Sequence, residues 1–318
     1  MKAIIYQEYG STENLKLQEI NQPEPKADEV LIKVLAASVN QADRHLLSGT
    51  PFPVRFTTGL FRPKFQTLGA DVSGVIKRIG KNISQFKVGD EVYGDLSGIG
   101  FGGFAEYAVA KEEILAIKPK NLSFGETAAM PMASVTALQG LRDLGEIQKG
   151  DEVLINGASG GVGGFAVQIA KAYGARVTAV CSGRNEELAK IQGADEVIDY
   201  SLRDFTKEDR KFDLILDGPV NHSLSEIERV LKGNGRYVAF GFSMEALLLG
   251  SWKSFRTGKK FETLLAKAKQ ADLKLMANLA DEGKIKPYIQ QSFTLDEVPQ
   301  ALDLLINGKV SGKLAITI

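Results

Sequence analysis

Between a β-branched run and an amphipathic stretch lies Asn156-Gly157-Ala158-Ser159-Gly160-Gly161-Val162-Gly163, a glycine loop of the kind that turns a strand sharply into a helix. Such a loop lets the backbone approach a pyrophosphate. The helix that follows offers unpaired N–H groups and a partial positive charge. Glycines alone would also fit a tight turn that binds nothing. The context favours binding, because Ala166, Ile169, Ala170 and Tyr173 recur at helical spacing and a second strand follows on schedule. We therefore take Ala158, Ser159, Gly160, Gly161, Val162 and Gly163 as dinucleotide contacts. About 20 residues beyond the loop, NAD-preferring sites carry an acid that holds the ribose hydroxyls. This chain has Ser182-Gly183-Arg184-Asn185 there. Ser182 and Asn185 can donate hydrogen bonds, and Arg184 can make the charge-assisted contact that a 2′-phosphate favours. The expected cofactor is NADPH.

The rest of the chemical inventory is sparse in metal ligands. One cysteine, Cys181, and two histidines, His45 and His222, occur in 318 residues. A catalytic zinc needs about three protein ligands and a structural zinc about four. The expectation is therefore no metal site. The lone cysteine also rules out an intrachain disulfide and suits a reducing compartment, with the cytoplasm the simplest address. The 39 basic and 39 acidic side chains cancel, so no long-range field gathers nucleic acid or an anionic membrane. The first residues reach charge after a few apolar positions, and no apolar run approaches the roughly 20 residues needed to span a bilayer.

Elements must hold these groups in place. With 318 residues, 44% of them hydrophobic, two domains are expected. Residues 3–6, 30–36, 74–79 and 91–93 are short β-branched runs separated by Gly, Pro and Asp, as in a mostly β domain. Ser123 with Glu126 reads as a capping box opening one helix that runs to about Gly145. From Asp151 onward strands at 153–156, 176–181, 196–200, 212–217 and 236–241 alternate with helices at 163–173, 186–192 and 223–231. That alternation requires crossovers and predicts a doubly wound parallel sheet. The tail has helices at 273–282 and after Thr294, with a closing strand at 313–318, and it lacks this rhythm. We assign it to the first domain. The expected division is residues 1–124 with 269–318, and residues 125–268.

The motifs taken together resemble the medium-chain dehydrogenase/reductase superfamily, in its zinc-independent quinone oxidoreductase branch. They are Val39-Asn40-Gln41-Ala42-Asp43, Leu68-Gly69-Ala70-Asp71-Val72-Ser73-Gly74, Val88-Gly89-Asp90-Glu91-Val92, Gly103-Phe104-Ala105-Glu106-Tyr107, the glycine loop, Gly193-Ala194-Asp195 and Gly308-Lys309-Val310-Ser311-Gly312-Lys313. The resemblance implies a GroES-like β domain from both chain ends, a Rossmann domain from the middle, an active site in the cleft between them, and a homodimer. Zinc members place Cys where this chain has Asn40 and His where it has Ala70, so both ligand positions are empty. By the same resemblance Asn40 lies beside substrate and nicotinamide, holding the substrate oxygen or a water, and His45 faces the pocket, where it could donate a proton. Thr136 stands near the nicotinamide amide, Tyr200 by the adenosine, and Phe240 and Gly241 behind the nicotinamide. Asp43 and Asp71 read as structural, and Lys313, in the last strand, as either near the cleft or, more commonly for such a lysine, solvated. Asp217-Gly218-Pro219-Val220 departs from the family by its proline. Residues 59–64 and the apolar run 244–252 read as pocket borders, either a lid or a packed connection.

Without a Lewis acid, a plain ketone is hard to polarise. A conjugated double bond or a quinone is an easier hydride acceptor, because charge collects on an oxygen that hydrogen bonds can stabilise. The expected function is an NADPH-dependent reductase of quinones or α,β-unsaturated carbonyls. An enoyl-thioester reductase and a non-catalytic NADPH-binding protein are the alternatives.

Overall fold

A short apolar run at the amino terminus, Ala3-Ile4-Ile5, is buried in β1 (Lys2–Ile5), which pairs antiparallel with the exposed β2 (Lys16–Glu19). The computed structural model describes residues 1–241 and 243–318. Next comes β3 (Glu29–Ser38), a long strand buried along nearly its whole length. It leads into α1 (Gln41–Ser48) and a short α2 (Arg55–Thr58). Strands β4 (Asp71–Ile79), β5 (Glu91–Asp95), β6 (Tyr107–Lys111) and β7 (Leu115–Ile117) complete the amino-terminal part of a β unit.

Ser123 caps α3 (Phe124–Ala128), accepting from the Glu126 N–H, as the capping-box pattern predicts. The single helix expected from there to Gly145 is broken. Pro131 opens a separate α4 (Pro131–Gln139), followed by a π-helical turn at Gly140–Leu144. A proline has no N–H to continue the first ladder but suits a helix start.

The second unit then follows the βα rhythm. Its elements are β8 (Glu152–Asn156), α5 (Gly161–Ala172), β9 (Arg176–Cys181), α6 (Glu186–Ile191), β10 (Glu196–Asp199), β11 (Phe212–Asp217), α7 (Leu224–Val230), β12 (Leu231–Ala239), α8 (Met244–Thr257) and β13 (Lys260–Thr263). All neighbouring strands are parallel, in the order β10-β9-β8-β11-β12-β13. The order reverses at β8, so the crevice beyond the carboxyl ends of β8 and β11 is where an open parallel sheet binds ligands. Leu154, Val180, Ile198, Phe212, Ile215, Ile227, Tyr237 and Phe261 form the core of this unit.

The tail carries α9 (Gln270–Asp281), β14 (Ile289–Thr294), α10 (Val298–Ile306) and β15 (Lys313–Thr317). Strand β15 pairs antiparallel with β3, which inserts the carboxyl end into the amino-terminal sheet, ordered β14-β15-β3-β4-β5-β7 with β6 on β3. The two compact units are Met1–Met132 with Ala268–Ile318, and Ala133–Lys267. The first boundary thus lies eight residues beyond the position read from sequence. Ser73 Oγ donates to the Phe124 carbonyl at 2.6 Å and the Met132 N–H donates to Asp71 Oδ1 at 2.8 Å, so α3 stays with the β unit.

Several further elements differ from the sequence reading. Strands β2, β6, β7, β13 and β14 and helices α1 and α2 were not expected, and residues 244–252 form most of the regular helix α8, capped by Ser243 Oγ accepting from the Ala246 N–H at 3.0 Å. Its outward stripe is apolar: Met244, Leu247, Leu248, Trp252 and Phe255 are all more than half exposed. Among the described residues, no helix is long and apolar enough to cross a membrane.

Candidate active site

In the second unit, β8 ends at Asn156 and the chain turns through Gly157, whose φ is +83°. Only glycine adopts this backbone without strain. Gly160 is the N-cap of α5, and Gly161, Val162 and Gly163 form its first turn, with N–H groups that have no intrahelical acceptor. Gly163 lies so close to the loop that a Cβ there would sit 2.1 Å from the Gly157 carbonyl oxygen. Ala158 is buried and its N–H donates to the Val180 carbonyl, leaving Ser159 and Gly160 at the rim. This cradle fits a pyrophosphate: small residues, close backbone approach and a helix amino terminus coincide.

Strand β9 delivers the selectivity turn. Cys181 is buried, and that burial raises its thiol pKa to about 11, so it is no nucleophile. Ser182, Gly183, Arg184 and Asn185 then fold as a short turn in which Asn185 Nδ2 donates to Ser182 Oγ at 3.1 Å. Arg184 is exposed there. Tyr200, 63% exposed, is held beside this turn by its N–H, which donates to the Cys181 carbonyl at 3.2 Å. Sequence reasoning missed Asp199 at the end of β10. Its carboxylate accepts from Ser201 and lies against Gly183, where a Cβ would be 2.4 Å from Oδ2. The Ser201 bonds hold its pKa below the ordinary carboxylate value, so it stays charged.

The floor of this edge is a buried polar network. Asp217, ending β11, accepts from Asn156 Nδ2 at 2.8 Å, from the Tyr237 hydroxyl at 3.0 Å and from the Val220 N–H at 3.1 Å. Burial raises the Asp217 pKa, and the three donors oppose that rise. The unexpected Pro219 packs toward Gly157, and Val220 is held at φ +48° by the Asp217 bond. Phe240 lies on Gly218, and a Cβ at Gly241 would be 2.1 Å from the Gly218 carbonyl oxygen, so the loops after β11 and β12 meet backbone to backbone. Thr136 is half-buried on α4.

The first unit holds a second constellation, gathered by sheet register. Ser38 pairs with Asp71 across β3 and β4, Asp71 pairs with Asp95 across β4 and β5, and Ala315 pairs with Ser38. Lys313 therefore arrives beside Asn40. Contrary to the solvated reading, it is only 5% exposed. Its Nζ donates to Asn40 Oδ1 at 2.6 Å and to the Val39 carbonyl at 3.1 Å, and lies 3.4 Å from Asp71 Oδ2. Sequence reasoning missed this role because the partners are some 270 positions apart in the chain and only the β15–β3 pairing joins them.

Asn40 stands at the amino terminus of α1, where its N–H donates to Asp43 Oδ2 at 2.8 Å. Its side-chain Nδ2 donates to Asp71 Oδ2 at 3.0 Å and to the Ser38 carbonyl at 3.3 Å. Both amide hydrogens are thereby used. The expectation that Asn40 could donate to a substrate oxygen is corrected: of its side-chain atoms only Oδ1, which already accepts from Lys313, can face a further group, and only as an acceptor. Asp43 also accepts from the Gly69 N–H at 2.9 Å, and its complete burial pushes its pKa up to about 7 despite these two donors. Asp95, buried beside Asp71, is pushed up to about 6, first by burial and then by its neighbour's charge.

His45 lies in the last turn of α1 with Nδ1 2.7 Å from the Thr50 carbonyl oxygen. A carbonyl only accepts, so Nδ1 carries the proton, and the neutral ring has an acceptor at Nε2. It can give a proton from Nε2 only as imidazolium. Neither Asn40 nor Ala70 offers the thiolate or imidazole that a zinc of this fold would use.

A Rossmann sheet with a phosphate cradle, joined in one chain to a β unit made from both termini, defines a dinucleotide-dependent dehydrogenase class. The family model for the alcohol dehydrogenase GroES-like domain matches residues 26–120, and that for zinc-binding dehydrogenase matches residues 192–316. The chain is 35% identical to the chloroplastic quinone-oxidoreductase homologue of Spinacia oleracea, over 99% of this chain and 98% of that protein. It is 32% identical to the chloroplastic NADPH-dependent alkenal/one oxidoreductase of Arabidopsis thaliana, over 99% of this chain and 79% of that protein. The solved structure of the quinone oxidoreductase from Coxiella burnetii superposes with a TM-score of 0.90 at 32% identity, covering 100% of this chain and 99% of the other. The chain belongs to the medium-chain dehydrogenase/reductase superfamily, in its quinone oxidoreductase branch. It is an NAD(P)H-dependent oxidoreductase.

Proposed function

We propose that the enzyme is a zinc-independent, NADPH-dependent reductase of quinones or α,β-unsaturated carbonyls. The observation that carries this reading is the turn after β9, where Ser182, Arg184 and Asn185 stand in place of a ribose-binding acid. A guanidinium on an exposed turn favours a 2′-phosphate. Charged Asp199 nearby opposes it, and the preference rests on Arg184 outweighing that carboxylate. Similarity to an alkenal/one oxidoreductase named as NADPH-dependent points the same way.

When bound, the nicotinamide supplies a hydride to the electrophilic carbon. The chain's own residues do the rest. Ser159 with the first turn of α5 holds the phosphates, Ala158 and Gly160 shape the close approach of the loop, Tyr200 flanks the adenosine, and Thr136, Phe240 and Gly241 orient the nicotinamide end. Asn40 Oδ1 accepts one hydrogen of a water, whose second hydrogen meets the substrate oxygen as negative charge collects there. His45, when protonated, is the alternative proton source. The donor set supports zinc-independence, since an ammonium already occupies Asn40 Oδ1.

The proposed assembly is a homodimer, supported by the apolar outer stripe of α8 beside the open edge strand β13. The proposed compartment is the cytoplasm. The decisive experiment is NADPH oxidation against a panel of quinones, enals, enones and crotonyl thioesters, with and without a chelator. Turnover of the first three classes, unchanged by the chelator, is expected. Loss of activity on chelation, or turnover of thioesters alone, would overturn the reading.

A further inference from the structure

Asn amides can present either oxygen or nitrogen in a given direction, and the choice decides what they bind. At Asn40 the choice is forced. Lys313 is a pure donor and sits 2.6 Å from Oδ1, while Asp71 as a carboxylate is a pure acceptor and sits 3.0 Å from Nδ2. Rotating the amide by half a turn would set Nδ2 against an ammonium and Oδ1 against a carboxylate. The clamp is itself rigid: Ser38 Oγ donates to Asp71 Oδ2 at 2.9 Å, the Met132 N–H holds Asp71 Oδ1, and the Val39 carbonyl holds Lys313. Lys313 and Asp71 are both almost fully buried, so solvent does not screen either contact.

We propose that Lys313, paired with Asp71, is a positioning residue that locks the Asn40 amide with its oxygen as the acceptor offered to the reaction. The inference rests on the proposed reductase reading, which gives Asn40 the water that meets the substrate oxygen. Lys313 touches no substrate in this account. Its ammonium acts through Asn40 and offsets the Asp71 charge beside it.

The test is a double-mutant cycle with Lys313→Met and Asn40→Ala, together with Lys313→Arg. Action through Asn40 predicts that Lys313→Met lowers kcat about tenfold or more with KM for NADPH changed less than about threefold. In the Asn40→Ala background the same change then costs less than about twofold. Lys313→Arg, which keeps the charge and the donors, restores most of kcat. A loss that multiplies fully with that of Asn40→Ala overturns the proposal, because it marks Lys313 as supporting the fold independently. If Lys313→Met fails to fold, Lys313→Met with Asp71→Asn removes both charges and takes its place in the cycle.

Wild-type enzyme that oxidises no NADPH with any acceptor refutes the reductase reading instead. The lock is then read directly from the side-chain ¹⁵NH₂ resonance of Asn40. Slow hydrogen exchange in wild type and Lys313→Arg, lost in Lys313→Met, sustains the proposal. Unchanged exchange in Lys313→Met overturns it.

Discussion

Gly163, in the first turn of α5, stands so close to Gly157 that a methyl group on it would lie 2.1 Å from the Gly157 carbonyl oxygen. The helix amino terminus is thereby pressed onto the loop that must receive phosphates. Gly163→Ala is expected to push the helix away, raising the Kd for NADPH about tenfold or more and costing about 1–3 kcal/mol of stability. Isothermal titration and thermal unfolding of the variant check both.

Asp43 provides a pH signature. Its folded pKa, about 7, lies above the ordinary 3.8, so the unfolded chain gives up this proton first as pH rises. Its contribution to stability is complete below about pH 4 and lost as pH rises through about 7. Asp95, raised to about 6, acts in the same direction. Asp43→Asn is expected to flatten this part of the slope between pH 4.5 and 8. It also weakens one of the two N–H contacts, at a cost of about 1–3 kcal/mol at low pH. Urea unfolding across that range measures the slope.

Tyr237 and Asp217 tie β12 to β11 beneath the nucleotide loops through one buried bond of 3.0 Å. Tyr237→Phe removes the donor and leaves a buried carboxyl with fewer partners. A loss of about 1–3 kcal/mol is expected in denaturant unfolding, with weaker cofactor binding because the Gly218–Val220 loop loses its anchor.

The α8 stripe gives a test of assembly. Trp252 and Leu248 are 59% and 67% exposed. If they meet a second copy, Leu248→Glu with Trp252→Glu shifts the protein to monomers in sedimentation velocity at micromolar concentration. The desolvation of two carboxylates in an apolar interface drives the shift.

Much of the cofactor unit was legible in the chain, because its signals are local. The glycine loop, the β-branched runs and the capping pair Ser123 and Glu126 sit within a few residues of the structure they specify. Strands β13 and β14 were not legible: Lys260–Thr263 and Ile289–Thr294 carry mixed polar residues, and each is fixed by a partner strand rather than by its own pattern. Lys313 is the sharpest case. An isolated lysine near the chain end reads as solvated, and only the register of β15 on β3 reveals that it lies buried against Asn40 and Asp71. A different non-local pairing, β4 on β3, removed the donor role expected for Asn40 by setting Asp71 against its Nδ2.

Which nucleotide the turn after β9 accepts is tested most directly by the ratio of kcat/KM for NADPH to that for NADH. The wild type is expected to favour NADPH by about a hundredfold, and Arg184→Ala to lose about tenfold or more of that ratio through a higher KM for NADPH alone. A wild type that prefers NADH, or an Arg184→Ala variant with the ratio unchanged, would contradict the account.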